Sequence, residues 1–354
     1  MYIDRICSLL RFVLFDSEID TTLYSSLSKS DWNDMYIKAK ENGVVAIVLD
    51  AISRLPKECQ PPKQLKIQWT ALSFAIETFY FKQLEAAKEL AIFFRRKNVR
   101  PLVLKGVGLA SYYPIPQHRE CGDVDLFLGS DFSQGNELLK QLGAIVNDDS
   151  YKHTHIHYKN ITFENHRYLL SIRGNGCLKQ LEAYLRHIAF VNPPKYVNET
   201  YLECSSPTFN AIFLIAHSFA HFLDEGIKLR HILDWALLLK AEQNNINWAQ
   251  FYFWCDKLHY TTFAKSLTSI SIIYFGLKIS NDEVLSDDKY NIKIIKDVFE
   301  AQGVYNKGYS LWKRRFVLMR RSIMSLWKYH HIYKKSLSVV ILKRVTGLIF
   351  DRSI

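Results

Sequence analysis

The hydrophobic pattern of this chain changes period twice along its length, and this restricts the folds that are open to it. Up to about residue 98, apolar residues recur every three to five positions, which is typical of helices. Between residues 99 and 178, short stretches alternate polar and apolar residues, as strands do. Beyond residue 178 the helical period returns. The sequence therefore predicts an α+β protein, with a small mixed β-sheet core flanked by N-terminal helices and a C-terminal helical domain.

These changes divide the 354 residues into four segments. We predict an N-terminal helical region at 1–98, an α/β core at 99–178, a C-terminal helical domain at 179–305 and a basic amphipathic helical tail at 306–354. A chain of this length accommodates two or three domains of roughly 100–200 residues each.

Local signals predict where individual helices and turns lie. Ser30 is expected to cap a helix that Gly43 ends, and Ser206, followed by proline, is expected to begin another. Lys159 and Asn160 separate two alternating stretches and predict a hairpin turn.

The net charge of +11 belongs to one end of the chain. Residues 301–354 contain twelve Lys and Arg and a single acid, so the first 300 residues are balanced. A balanced core has no excess charge to line a groove for duplex nucleic acid, so we expect no such partner. Within the tail, residues 311–350 place basic residues between apolar positions at a helical period. This pattern predicts a helix that either packs on the protein or lies on an anionic membrane surface.

The cysteines, the first fifteen residues and the lengths of the apolar runs all bear on the cellular compartment. The six cysteines form no C-x-x-C pair, which favours reduced thiols. Charged residues interrupt the first fifteen positions, and no apolar run reaches the roughly 18–20 residues of a spanning helix. We therefore expect a cytoplasmic protein, with the inner membrane face as a second location reached through the tail.

Three acids in the alternating segment have the spacing of a metal site. Asp123 and Asp125 would share one strand face, about 6.5–7 Å apart at the backbone. Mg²⁺ is usually bound by one or two carboxylates together with substrate phosphates. Glu164 lies in a second alternating stretch and could complete a two-ion site and help deprotonate an acceptor hydroxyl. The alternative is a solvated strand face with no bound ion.

A glycine upstream of these acids is a candidate phosphate contact. Gly106 follows a short apolar run and precedes a short helical stretch, and free N–H groups at a helix start bind anions. Lys105 adds a positive charge beside it. A phosphate site next to a metal site predicts phosphoryl or nucleotidyl transfer.

Two groups of histidines have spacings found in metal sites: His153, His155 and His157, and His217 and His221. The triplet would share a strand face and predicts either a Zn²⁺ or Ni²⁺ site or a polar edge strand with substrate contacts. The pair lacks the glutamate that follows the first histidine in metalloproteases. For the pair we favour hydrogen bonding between helices, with Asp234 as a partner.

The ordered motifs LKG, DVDLFL, ITFENHRYL and HSFAHFLDEGIKLRHILDW resemble the uncharacterised bacterial nucleotidyltransferases of the polymerase-beta-like superfamily. The resemblance covers about residues 30–240. It implies that the three acids bind metal, that Lys105 and Gly106 lie at the triphosphate, and that Arg119 contacts phosphate or acceptor. The sequence departs from better-understood superfamily members at Val107, where they usually have serine.

The resemblance implies a reaction as well as a fold. We expect transfer of a nucleoside monophosphate from an NTP to a hydroxyl acceptor, with two Mg²⁺ ions as cofactors. The acceptor could be a small molecule, a saccharide or a protein. Two other hypotheses stay open: a non-catalytic nucleotide-binding or regulatory module, and a peripheral membrane adaptor that acts through the tail.

Overall fold

The structure is a computed structural model that describes residues 2–148, 150–172, 175–197, 200–280, 288–300 and 324–333. Except for residues 324–333, the predicted tail at 306–354 lies outside the described residues. Its predicted helix and its predicted membrane contact therefore stay predictions.

The N-terminal region is helical, as its pattern predicts. Its helices are α1 (Tyr2–Leu14), α2 (Thr22–Ser25), α3 (Lys29–Glu41), α4 (Val45–Ser53) and α5 (Lys63–Arg96). The cap of α3 is Ser28 and not the predicted Ser30, because Ser28 and Asp31 bond each other's backbone N–H groups. Gly43, with a φ of +68°, follows the end of α3 as predicted.

Seven short strands form one mixed sheet within the described residues. They are β1 (Leu102–Val103), β2 (Val124–Phe127), β3 (Ile145–Asn147), β4 (His153–Tyr158), β5 (Ile161–His166), β6 (Lys195–Tyr196) and β7 (Glu203–Cys204). Their order is β3-β4-β5-β2-β1-β7-β6. The pairs β2–β5 and β1–β7 are parallel, and the other pairs are antiparallel.

The predicted hairpin is confirmed. Lys159 and Asn160 join β4 to β5 with φ values of 50° and 61°, which are typical of a two-residue hairpin turn. The sheet also includes β6 and β7, which lie beyond the predicted core at 99–178. Strands of two residues are too short to show a period, so the sequence pattern does not reveal them.

The remaining helices lie around and after the sheet. They are α6 (Val107–Ala110), α7 (Phe132–Gln141), α8 (Gly176–Ile188), α9 (Pro207–Leu223), α10 (Leu229–Glu242), α11 (Trp248–Leu258), α12 (Thr261–Phe275) and α13 (Asp288–Glu300). Ser206 caps α9 as predicted, since its hydroxyl accepts a hydrogen bond from the N–H of Phe209 at 3.2 Å.

The N-terminal and C-terminal helices share one hydrophobic core. Helix α1 packs against both α4 and α12, and the buried side chains of Leu10, Trp69 and Leu233 belong to the same apolar cluster. A second cluster lies between the C-terminal half of α5 and the sheet. None of the helices in the described ranges is long and apolar enough to cross a membrane.

Candidate active site

The pairing of β2 with β5 brings two of the predicted acids together. Asp125 and Glu164 are partners in the parallel register of these strands, so their side chains lie side by side. Val124 and Leu126 are fully buried on the opposite face, and this fixes the direction of Asp125. The sheet therefore places both carboxylates at one location.

Asp125 is buried, with 2% of its surface exposed, and is held by two cationic groups. Its Oδ1 lies 3.2 Å from the Nζ of Lys105 and 2.9 Å from the Nε2 of His166. Burial alone would raise the pKa of Asp125, but Lys105 and His166 outweigh burial and lower it. Asp125 is therefore ionised at neutral pH.

His166 links Asp125 to Glu164. Its Nε2 lies 3.3 Å from an oxygen of Glu164, on the same strand face two residues away. Burial would lower the pKa of His166, but hydrogen bonds to both carboxylates raise it. Burial would likewise raise the pKa of Glu164, but the hydrogen bond from His166 lowers it. The set Asp125, Glu164 and His166 has donor atoms within 4.8 Å of one another, as a metal site requires.

Asp123 lies at the open side of this cluster. Its side chain is exposed, and it precedes β2 by one residue. Partial desolvation raises the pKa of Asp123, and the charges of Glu164 and Asp125 raise it further. Three crowded carboxylates thus repel one another, and a bound cation would relieve that repulsion. The structure brings the three predicted acids together, and their metal role stays a prediction.

Gly106 has a conformation that other residues rarely adopt. Its φ is +60°, and a Cβ at this position would lie 3.3 Å from the backbone oxygen of Asp123. Glycine is therefore required both for the turn and for this close approach. The helix that follows, α6, has only four residues, so the predicted phosphate contact rests on the resemblance and on the neighbouring Lys105.

Lys152, which the sequence analysis does not select, acts on the same cluster as Lys105 and His217, which it does select. Lys105 Nζ lies 3.5 Å from the Nε2 of His217, which in turn lies 3.1 Å from the Nε2 of His221. Burial lowers the pKa of Lys152, and the charge of Lys105 lowers it further. Burial and then Lys105 likewise lower the pKa of His217. Lys152 has no motif around it, and its position just before β4 is the only local signal that could have found it.

Arg119 is buried against Asp234 in the structure. Its guanidinium donates two parallel hydrogen bonds to Asp234, both at 2.8 Å, and both residues are 4% exposed. The hydroxyl of Tyr113 also donates to Asp234, at 2.8 Å. The prediction that Asp234 bonds to one of the histidines His217 and His221 is wrong. Asp234 instead accepts hydrogen bonds from Arg119 and Tyr113. Arg119 in this position is paired with a buried carboxylate, and its role at phosphate or acceptor stays a prediction.

The predicted histidine triplet is divided by the structure. His153 and His155 lie beside Glu164, with His153 Nδ1 at 3.5 Å and His155 Nε2 at 3.7 Å from its oxygens. His157 is exposed at the far end of β4, where the side chain of Thr162 lies 3.3 Å from its Nδ1.

A mixed sheet with carboxylates on adjacent parallel strands, next to a glycine turn, is consistent with the nucleotidyltransferase class. The family model described as uncharacterised nucleotidyltransferase matches residues 28–276, which is more than half of the chain. The protein belongs to this family, and the predicted family and the predicted α+β fold are confirmed. No curated protein and no solved structure shows a significant match. The family membership supports nucleotidyl transfer in general terms.

Proposed function

We propose that this protein transfers a nucleoside monophosphate from an NTP to a hydroxyl acceptor, with pyrophosphate as the leaving group. The observation that carries the proposal is the register of β2 and β5, which sets Asp125 directly beside Glu164. Asp123 lies two residues before Asp125 and adds a third, exposed carboxylate. This is the minimum set of oxygen ligands for two metal ions in an in-line displacement.

The side chains present fit hard divalent cations. Carboxylate oxygens are the ligands that Mg²⁺ prefers. Partial desolvation raises the pKa of Asp123, and the negative charges of Glu164 and Asp125 raise it further. Asp123 and Asp125 would hold both ions, and Glu164 would complete the one on the acceptor side. When bound, these ions supply positive charge that stabilises the phosphates as the bond to pyrophosphate breaks.

The chain's own cations beside the carboxylates support a triphosphate site. Lys105 contacts Asp125 directly, and the charge of Lys152 acts on both Lys105 and Asp125. Two ammonium groups beside the carboxylates can bind the phosphate oxygens and orient the leaving pyrophosphate. Glu164 is placed to accept the proton of the acceptor hydroxyl, because it is partly exposed and ionised.

Label transfer from an α-phosphate-labelled NTP tests the reaction. Purified protein is incubated with Mg²⁺, the NTP and a cell extract, and the labelled product is assigned to small molecules, saccharides or proteins. We expect one labelled acceptor class with wild type and no label with Asp123→Asn. Glu137→Gln, which removes an exposed carboxylate from α7, is the control and should transfer label normally. Equal labelling by wild type and Asp123→Asn would contradict the proposal.

A non-catalytic nucleotide-binding module is the second candidate, favoured by Val107 and by the four-residue length of α6. Calorimetry separates it from the enzyme. Mg²⁺-dependent NTP binding without transfer in any extract favours this module. NTP binding that is equal in wild type, Asp123→Asn and Asp125→Asn, with or without Mg²⁺, would contradict the proposed metal site.

A further inference from the structure

The β4–β5 hairpin places two imidazoles and one carboxylate on the same face of the sheet. His153 and His155 are two residues apart on β4, so they project to one side. Glu164 on β5 is the direct partner of His155 in the antiparallel register, and its side chain projects to that side as well. The three side chains come from one local unit, the hairpin.

The distances within this group fit metal coordination better than hydrogen bonding. His153 Nδ1 and His155 Nε2 lie 3.5 Å and 3.7 Å from separate oxygens of Glu164, and all three donor atoms lie within 4.8 Å of one another. Hydrogen bonds between nitrogen and oxygen are usually 2.7–3.2 Å long. Ligands at ~2.0–2.1 Å from a tetrahedral Zn²⁺ lie roughly 3.3–3.4 Å apart, so the two distances from histidine to Glu164 exceed that spacing by only a few tenths of an ångström.

One atom of the group also lacks a partner. His153 Nδ1 is buried and makes no hydrogen bond within the part of the chain that the structure describes. Buried polar side-chain atoms nearly always have a partner, and an exception calls for an explanation such as a bound ion. Since this nitrogen points toward Glu164, a metal held between them would satisfy it.

The ligand set selects the kind of metal. Imidazole nitrogen suits Zn²⁺, Fe²⁺, Cu²⁺ and Ni²⁺, whereas Mg²⁺ takes oxygen ligands. Three protein ligands with an open side are typical of Zn²⁺ sites that bind a further ligand from solvent or substrate. His155 is 38% exposed at its side chain, so the group opens to solvent.

We propose that His153, His155 and Glu164 bind a divalent transition metal ion of the Zn²⁺ type. This site shares Glu164 with the proposed Mg²⁺ site but takes its other ligands from β4, and it does not depend on nucleotidyl transfer. It lies next to Asp125, because His166 contacts both Glu164 and Asp125. A metal here would fix Glu164 in place through the hairpin.

Calorimetry with Zn²⁺ alone tests the site on the full chain without a histidine tag. Removal of a residue that only supports a metal ligand typically lowers metal affinity ~10–100-fold. Removal of a ligand itself should lower it further, so we expect His153→Ala and His155→Ala each to weaken Zn²⁺ binding more than ~100-fold. His157→Ala removes an imidazole from the same strand outside the group and should bind Zn²⁺ as wild type does. Co²⁺ should give a visible absorption spectrum with wild type and His157→Ala, and lose it with His155→Ala.

Circular dichroism of each variant shows whether it is folded, and His155→Gln provides a more conservative change if His155→Ala is not. The proposal is overturned if wild type binds no Zn²⁺, or if His155→Ala or His155→Gln binds it as tightly as wild type. It is also overturned if Mg²⁺ displaces Zn²⁺ at equal concentration. Zn²⁺ binding by a wild type that transfers no label would leave this site standing while the proposed nucleotidyl transfer fails.

Discussion

Two clusters of charged side chains in this protein differ in how well their charges are matched. In the first, Arg119 and Asp234 meet through two parallel hydrogen bonds of 2.8 Å and are almost fully buried. In the second, Asp125 and Glu164 are contacted over 2.9–3.7 Å by several histidines and a lysine, and the exposed Asp123 adds a third carboxylate. Loss of either partner of a buried pair destabilises the fold, whereas crowded like charges beside an opening mark a candidate ligand site.

Arg119→Ala gives the largest effect that we expect, because it leaves the charge of Asp234 buried and unpaired. Removing one partner of a buried ion pair lowers the free energy of unfolding by about 3–5 kcal/mol. Urea unfolding followed by circular dichroism measures this change. Arg54→Ala, which removes an exposed helical ion pair, is the control and should change the free energy of unfolding by less than about 1 kcal/mol.

If Arg119→Ala instead unfolds like wild type and loses nucleotide binding, then Arg119 acts at the phosphate and not in packing. Arg119 would then belong to the ligand-binding site, and the distinction between a buried pair that supports the fold and a cluster that binds a ligand would fail.

Asp123→Asn should have the opposite profile. Nucleotidyl transfer should fall more than ~100-fold, because loss of a metal ligand exceeds the ~10–100-fold effect of an outer-shell partner. The stability of the fold should be unchanged or slightly higher, since desolvation and the neighbouring acids raise the pKa of Asp123 and disfavour its charge. Label transfer and urea unfolding are measured on the same preparation. A large fall in the free energy of unfolding would show that Asp123 stabilises the fold, as Arg119 and Asp234 are expected to do.

Lys152→Ala should weaken NTP binding roughly 10–150-fold, since a hydrogen bond to a charged group contributes about 1.5–3 kcal/mol and each ~1.4 kcal/mol is a factor of ten. Calorimetry with Mg²⁺ and a nucleotide measures the change in affinity. Lys159→Ala is the matched control, because Lys159 lies on the hairpin turn and pairs with Glu89 on α5. Equal loss of affinity in both variants would indicate a general charge effect and not a phosphate contact.

The smallest effect that we expect is a pH dependence of the free energy of unfolding, which arises from the buried pair of Arg119 and Asp234. Burial would raise the pKa of Asp234, but Arg119 outweighs burial and lowers it below the usual value. The stabilisation is therefore fully present above about pH 4 and is lost as pH falls through the folded-state pKa. Urea unfolding of wild type and Asp234→Asn from about pH 7 to about pH 3 should show a difference in stability that shrinks at the acid end. A constant difference across this range would contradict the depressed pKa.

The strand acids could be predicted from sequence because alternation alone puts Asp123 and Asp125, or Glu164 and His166, on one face. The α+β class followed from the change of period at residue 99. The helix cap at Ser28 was missed because Ser30 has a similar local signal, and only the reciprocal bond with Asp31 distinguishes the two.

Contacts between distant segments could not be predicted from local pattern. Arg119 and Asp234 lie on separate elements, and no local signal indicates that their side chains meet. The same applies to Lys105 and His217, and to Lys152 beside them. The register that sets Asp125 against Glu164 depends on pairing two strands that are far apart in the chain, which a single sequence does not reveal.

That register also determines where the chain can tolerate insertions and deletions. Side chains on a strand alternate between faces, so the deletion of one residue within β5 would turn Glu164 toward the core side that Phe163 now occupies. The segment between β2 and β5 contains α7, β3, β4 and the turns that connect them, and residues added in those turns leave the pairing of β2 with β5 intact. Variation in length among members of this family is therefore expected in those connections, with both acid-bearing strands constant in length.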